Sequence, residues 1–122
     1  PYRQSFESEC RYIDQKINSG ADGFFTQPFF TISEAAKYCE SLANIPVFLG
    51  SSPVLTEKSK QYWEKVNKVD FGSHFSLEFD DNIQLAQELY QLSLSYGQHF
   101  YLMPIKVDLI RYLSQFFKGD SL

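Results

Sequence analysis

The sequence has no run of basic residues, no long apolar run and few cysteines. Each of these gaps narrows what the chain does. Eleven Lys and Arg stand against fifteen Asp and Glu, for a net charge of −4. Phosphate-backbone binding leaves a Lys/Arg-rich footprint, so nucleic acid is not expected as a partner. The same deficit argues against an anionic membrane surface. No apolar stretch approaches the roughly 18 residues of a membrane span, and no signal-peptide pattern opens the sequence. Cys10 and Cys39 are the two cysteines. Both fall on apolar faces of predicted helices and are expected to be reduced thiols, which suits a cytoplasmic protein. His74 and His99 have no Cys or acidic partner at ligand spacing, so no metal site is expected. A Gly-x-Ser-x-Gly elbow, a P-loop and a Gly-x-Gly-x-x-Gly turn are all missing.

What is present is aromatic and periodic. Twelve Phe and eight Tyr help bring the hydrophobic share to 43%, enough for one domain of 122 residues. Over 5–19, Phe6, Cys10, Ile13 and Ile17 recur at helical spacing, and Gly20 follows as a stop. Glu9 and Lys16 are seven apart and therefore flank one side of that helix. Residues 22–27 read as a buried strand that Pro28 ends. Thr31-Ile-Ser-Glu34 is a capping box, opening a helix to about Leu42. Residues 46–49 make a second strand closed by Gly50.

Thr56 is placed to cap a helix over 57–66 with Tyr62, Trp63 and Val66 inward. Residues 67–80 alternate at Phe75, Leu77 and Phe79 like a strand or an extended lid. Asp81 is placed to cap a helix to Tyr96, with Leu85, Leu89 and Leu92 on one face. Residues 99–103 form a third strand stopped by Pro104. A last helix over 106–117 turns Leu109, Ile110, Leu113 and Phe116 inward, and Gly119 ends it.

Strands alternating with helices predict parallel βα units and an α/β class. An open sheet of three strands leaves both edges unpaired, whereas eight units close into a barrel of about 250 residues. The expected architecture for 1–122 is therefore a partial (β/α)8 TIM barrel, with about three parallel βα units after a leading helix.

Ligands of such folds bind beyond the C-terminal strand ends. Here those ends are Thr26-Gln27, the Gly50–Pro53 loop and Met103–Lys106. Gln27 offers a donor and an acceptor at the end of an apolar strand, which suits a heterocycle edge or simply water. Phe24, Phe25, Phe29 and Phe30 are either the walls of a flat-ring pocket or core. Lys16 is either a phosphate partner or a solvated lysine. No nucleophile–base pair stands out.

The stretch from Lys16 to Phe30 has a particular pattern: Lys, three open positions, Gly-Ala-Asp, three more, then Thr-Gln and an aromatic residue. It resembles the corresponding stretch of methylenetetrahydrofolate reductases. Ile45-Pro-Val-Phe-Leu-Gly50 resembles that family's following strand, and His99-Phe-Tyr-Leu102 its last strand. The resemblance implies a flavoprotein of one-carbon metabolism and methionine biosynthesis. In such an enzyme FAD, reduced by NAD(P)H, passes hydride to 5,10-methylenetetrahydrofolate to give 5-methyltetrahydrofolate.

By the same resemblance, Gln27 is the folate pterin contact, while Lys16 and Glu9 bind the flavin. Phe79 is the folate-stacking ring, and Lys106 the cation for the folate glutamate tail. The family's general-acid Glu lies on a first strand outside this sequence, so the chain alone is expected to be inactive. It is expected to need the missing barrel half or a second copy. The alternatives are a non-catalytic half-barrel that serves binding or assembly, and a divergent barrel that no longer uses folate.

Overall fold

The computed structural model describes residues 5–18, 20 and 22–118, except for the side chains of Ile17 and Asn18. The expected roles of Ile17 in the first stripe and of Gly119 as the final stop lie outside the described residues.

Each helix has a local cause at its start. Ser5 opens α1 (Phe6–Asn18): its hydroxyl accepts from Ser8 N at 3.1 Å. Glu7 and Glu9 in the first turn and Lys16 in the last match the helix dipole. Thr31 caps α2 (Ile32–Ser41), accepting from Glu34 N, so half of the expected box forms. Thr56 caps α3 (Glu57–Asn67) through Ser59 N at 3.1 Å. Asp108 caps α5 (Leu109–Phe116) through Arg111 N at 3.1 Å, so the helix begins three residues later than the sequence reading placed it.

The fourth helix departs from expectation. α4 (Phe79–Ser95) starts two residues before Asp81, and its cap residue Glu78 makes no side-chain capping bond. Asn82 fixes the start instead. Its buried amide donates to the carbonyls of Val54, Ser76 and Glu78, and its Oδ1 accepts from Val54 N at 3.0 Å. Asp81 accepts from the Ser76 hydroxyl.

Three strands, β1 (Phe24–Pro28), β2 (Val47–Ser51) and β3 (His99–Leu102), form a parallel sheet in the order β1-β2-β3. The chain is thus a mixed α/β unit with parallel strands and crossover helices, as expected. Phe24, Val47, Leu49 and Phe100 point to one face, where α1, α2 and α4 supply Ile13, Ala35, Tyr38, Cys39, Leu42 and Leu89. α5 continues that layer, with Tyr112 and Phe116 against Phe100 and Leu102. The opposite face carries Phe25, Phe48, His99 and Tyr101, and Phe25 is 70% exposed.

A separate aromatic cluster sits beyond β1. Phe30, Trp63 and Phe71 pack there with Val54 and Val69, and Phe75 and Leu77 lie against it. Residues 68–78 therefore form no strand. They cover this cluster as irregular chain.

Two helix faces differ from the sequence reading. On α3 only Trp63 is buried, while Tyr62 and Val66 are exposed, because that helix meets the rest of the chain through this one cluster. On α5 the buried pair is Tyr112 and Phe116, four apart. Ile110 lies two residues from Tyr112, about 160° around the helix, and is 79% exposed. Leu109, also expected inward, is exposed in the first turn.

Candidate functional site

α1 lies beside β1, which among the described residues is an edge strand of the sheet. Between them lies a cavity of about 370 Å³. Its walls include Glu9, Tyr12 and Lys16 from α1 and Phe24, Phe25 and Gln27 from β1. Helical spacing puts Glu9 and Lys16 on one side of α1, and that side faces the strand. The Lys16 ammonium lies 5.0 Å from the Tyr12 ring centroid. The cavity therefore holds one fixed cation, one carboxylate, aromatic walls and an amide.

Gln27 carries the most informative atom. Its Oε1 is buried, and no donor among the described residues reaches it. An unmet buried acceptor costs about 1–3 kcal/mol, a cost that buried polar atoms of Ser52, Trp63 and Tyr112 share. The surrounding strand is irregular. Pairing with β2 shifts between Phe25 and Pro28, and the Thr26 side chain bridges the gap. Thr26 Oγ1 donates to Phe48 O at 3.2 Å and accepts from Gly50 N at 3.3 Å. Tyr101 donates to the Thr26 carbonyl from β3. Burial raises the Tyr101 phenol above its usual value, so it remains a donor at neutral pH.

Of the five residues singled out in the sequence, the structure brings Glu9, Lys16 and Gln27 together. Phe79 and Lys106 are elsewhere. Phe79 begins α4 with the Arg111 guanidinium 3.9 Å from its ring centroid and Tyr112 edge-on at 6.4 Å. Lys106 is exposed in the turn after β3, at a left-handed φ of 54°. Phe24 and Phe25 line the cavity, whereas Phe29 and Phe30 are core.

The loop after β2 is buried, although it is rich in serine. The buried Tyr112 hydroxyl lies near Ser51 yet has no hydrogen-bond partner among the described residues. Sequence reasoning missed Tyr101 and the part Gly50 plays opposite it, a pairing that only the strand register reveals.

No protein-family model matches the chain. Among the described residues no cluster of three or more His, Cys, Asp or Glu is placed to hold a metal ion, and no helix is long and apolar enough to cross a membrane.

A cavity of this volume lies near the lower end of small-molecule sites. Its donor set fits part of a flavin or a pterin: an acceptor and amide donors at Gln27, a cation at Lys16 for an anionic group, and a carboxylate at Glu9 for hydroxyls.

Proposed function

We propose that the chain is the C-terminal part of a methylenetetrahydrofolate reductase-like (β/α)8 barrel, and that Glu9, Lys16 and Gln27 form one wall of its FAD and folate site. The observation that supports this most is the meeting of these three residues, from two elements, around the unmet Gln27 acceptor. When bound, FAD supplies the two-electron relay between NAD(P)H and 5,10-methylenetetrahydrofolate. Gln27 orients the heterocycle by offering both senses of hydrogen bond. Lys16 neutralises an anionic end of the cofactor, and Glu9 accepts from its hydroxyls. Phe24 and Phe25 keep water from one side. Phe79, covered by Arg111 and Tyr112, packs the fold in this reading, and Lys106 remains the candidate cation for a carboxylate tail.

One wall does not make an active site, since the reacting partners must be held at near-attack distance. The 122-residue chain alone is expected neither to retain FAD nor to reduce the folate, while the whole cytoplasmic polypeptide containing it does both. In that polypeptide, Gln27→Ala should raise the folate KM or lower turnover at unchanged flavin content. Lys16→Ala should lower flavin occupancy. A colourless whole protein, or identical flavin content and kinetics in both variants, overturns the reading.

One observation favours a second reading, a half-barrel whose task is assembly. The bare sheet face is a continuous aromatic surface: Phe25 stacks on Phe48 at 4.3 Å, and Phe48 on His99 at 4.5 Å. Such a face calls for a cover, either the missing barrel half or a second copy. Light scattering on the isolated chain should give a mass above the monomer. A clean monomer at micromolar concentration counts against both forms of cover.

A further inference from the structure

We infer that Tyr101 is a positioning residue for Gln27, acting through the peptide that joins Thr26 to Gln27. The inference rests on the reading of Gln27 as ligand-facing and extends it to the device that aims the side chain.

Phe25 pairs with Phe48 and Pro28 with Gly50, so β1 advances three residues while β2 advances two. The extra residue makes a β-bulge at Thr26-Gln27, and bulges re-aim side chains beside sites. They also leave backbone groups out of the ladder, each of which needs another partner. Two side chains supply these partners. Thr26 Oγ1 ties the bulge to Phe48 O and Gly50 N. The Tyr101 hydroxyl reaches from β3 across β2 and donates to the Thr26 carbonyl. The crossing depends on Gly50, since a Cβ there would collide with the Tyr101 ring and hydroxyl. Phe25 flanks the phenol at 5.5 Å.

All three strands thus contribute to one device: a bulge from β1, a gap from β2 and a donor from β3. The carbonyl that Tyr101 holds belongs to the peptide plane whose rotation sets ψ of Thr26 and φ of Gln27. That plane sets the backbone course at Gln27, a residue of the cavity wall whose buried Oε1 has no donor among the described residues. Packing over Gly50 needs only the ring. The hydroxyl is what fixes the plane.

The test uses the whole flavin-loaded polypeptide with 5-methyltetrahydrofolate as the probe. Its dissociation constant is measured for the native protein, Tyr101→Phe, Gln27→Ala and the double variant, together with backbone hydrogen exchange at Gln27. Tyr101→Phe and Gln27→Ala should each weaken probe binding roughly tenfold, the loss expected for one hydrogen bond to the ligand. The double variant should bind no more weakly than Gln27→Ala alone, because residues acting through one group are not additive. Exchange at Gln27 should rise in Tyr101→Phe and stay unchanged in the surface control Tyr62→Phe.

Native-like binding by Tyr101→Phe while Gln27→Ala is weakened overturns the inference. So do multiplicative losses in the double variant, which would mean that Tyr101 acts independently of Gln27. If Gln27→Ala itself binds normally, the ligand reading of Gln27 fails, and exchange decides the brace: an unchanged rate at Gln27 in Tyr101→Phe refutes it.

Discussion

Removal of the Gln98 side chain should cost about 2 kcal/mol, a large share of the roughly 5–15 kcal/mol by which domains are stable. Gln98 precedes β3 and is 8% exposed. Its Oε1 accepts from Val47 N at 2.9 Å, and its Nε2 donates to Leu42 O at 3.1 Å and Ile45 O at 3.0 Å. One amide therefore joins the end of α2, the turn after it and the first residue of β2. Gln98→Ala strands the Val47 N–H and the Ile45 carbonyl, each worth about 1–3 kcal/mol when unmet, while Leu42 O keeps its bond from Ile45 N. Ala43, Asn44 and Gly97 line a shallow depression beside this point, so water can reach the vacated partners. That places the cost at the lower end for each.

Urea unfolding checks this. With a slope of about 1–3 kcal/mol per molar, the midpoint should fall by about 1–2 M. Gln84→Ala is the control, since Gln84 bonds only to Glu88 on the exposed side of α4, and it should stay within about 0.5 kcal/mol of native. Gln98→Glu separates the bonds from the shape. Its carboxyl would face two carbonyls in a buried place, which raises its folded pKa above the unfolded value of about 4.3. Below that pH the acid is neutral in both states and is tolerated. As pH climbs from 4 to 7 the unfolded state ionises first, and the penalty grows. Gln98→Ala with the same midpoint as Gln84→Ala would refute the reasoning.

Asn82→Ala removes four hydrogen bonds that hold the chain after β2 to the start of α4, and should cost about 3–4 kcal/mol. Trp63, the single tryptophan, sits in the cluster that this chain covers, so its emission should shift to the red in that variant before global unfolding. Burial pushes the Tyr112 phenol up to about 12, and the neighbouring Ser51 hydroxyl offsets this only in part. Burial likewise pushes the Cys39 thiol up to about 11. Both groups stabilise the fold fully below their unfolded values. That contribution is lost as pH rises through roughly 9 to 12, so urea midpoints should fall over this window and fall less in Tyr112→Phe. With a thiol reagent at pH 8, Cys10 should react first, and Cys39, fully buried, only on unfolding.

How far the sequence could be read depended on the kind of signal. Helix starts built from one side chain and one N–H, at Thr31 and Thr56, were legible because the cap and its partner lie three residues apart. α4 was misplaced at its start because Asn82 anchors it through Val54, 28 residues away, a contact that no local pattern reveals. Trp63 was found on α3, but Tyr62 and Val66 were not inward, since a helix that docks through one ring needs no full stripe. On α5 the apolar residues misled: Ile110 is outside while Tyr112 is buried, because the face that meets α4 is the one carrying Tyr112 and Phe116. Helical spacing put Glu9 and Lys16 on one side of α1, whereas their meeting with Gln27 was expected only from the family resemblance. The bulge that aims Gln27 rests on β3 side chains some 75 residues later in sequence, and periodicity carries no trace of it.

The two faces of the sheet differ for a reason that also bears on the site. Parallel crossovers of one hand place every helix on the same side, so successive βα units never cover the other face. The inward residues Val47 and Leu49 are aliphatic, whereas the uncovered row is Phe25, Phe48, His99 and Tyr101, rings that shelter one another by stacking and keep polar edges for contact with water. Phe25 belongs both to this row and to the wall of the Gln27 cavity. The cavity in turn exists because β1 has no outer neighbour. A body that covers the bare face, whether further barrel strands or another chain, must therefore contact the ring that borders Gln27, and a strand added at the β1 edge would form the cavity's missing wall. Under the proposed function, assembly and ligand binding are then one event at this edge: whatever completes the sheet also completes the site.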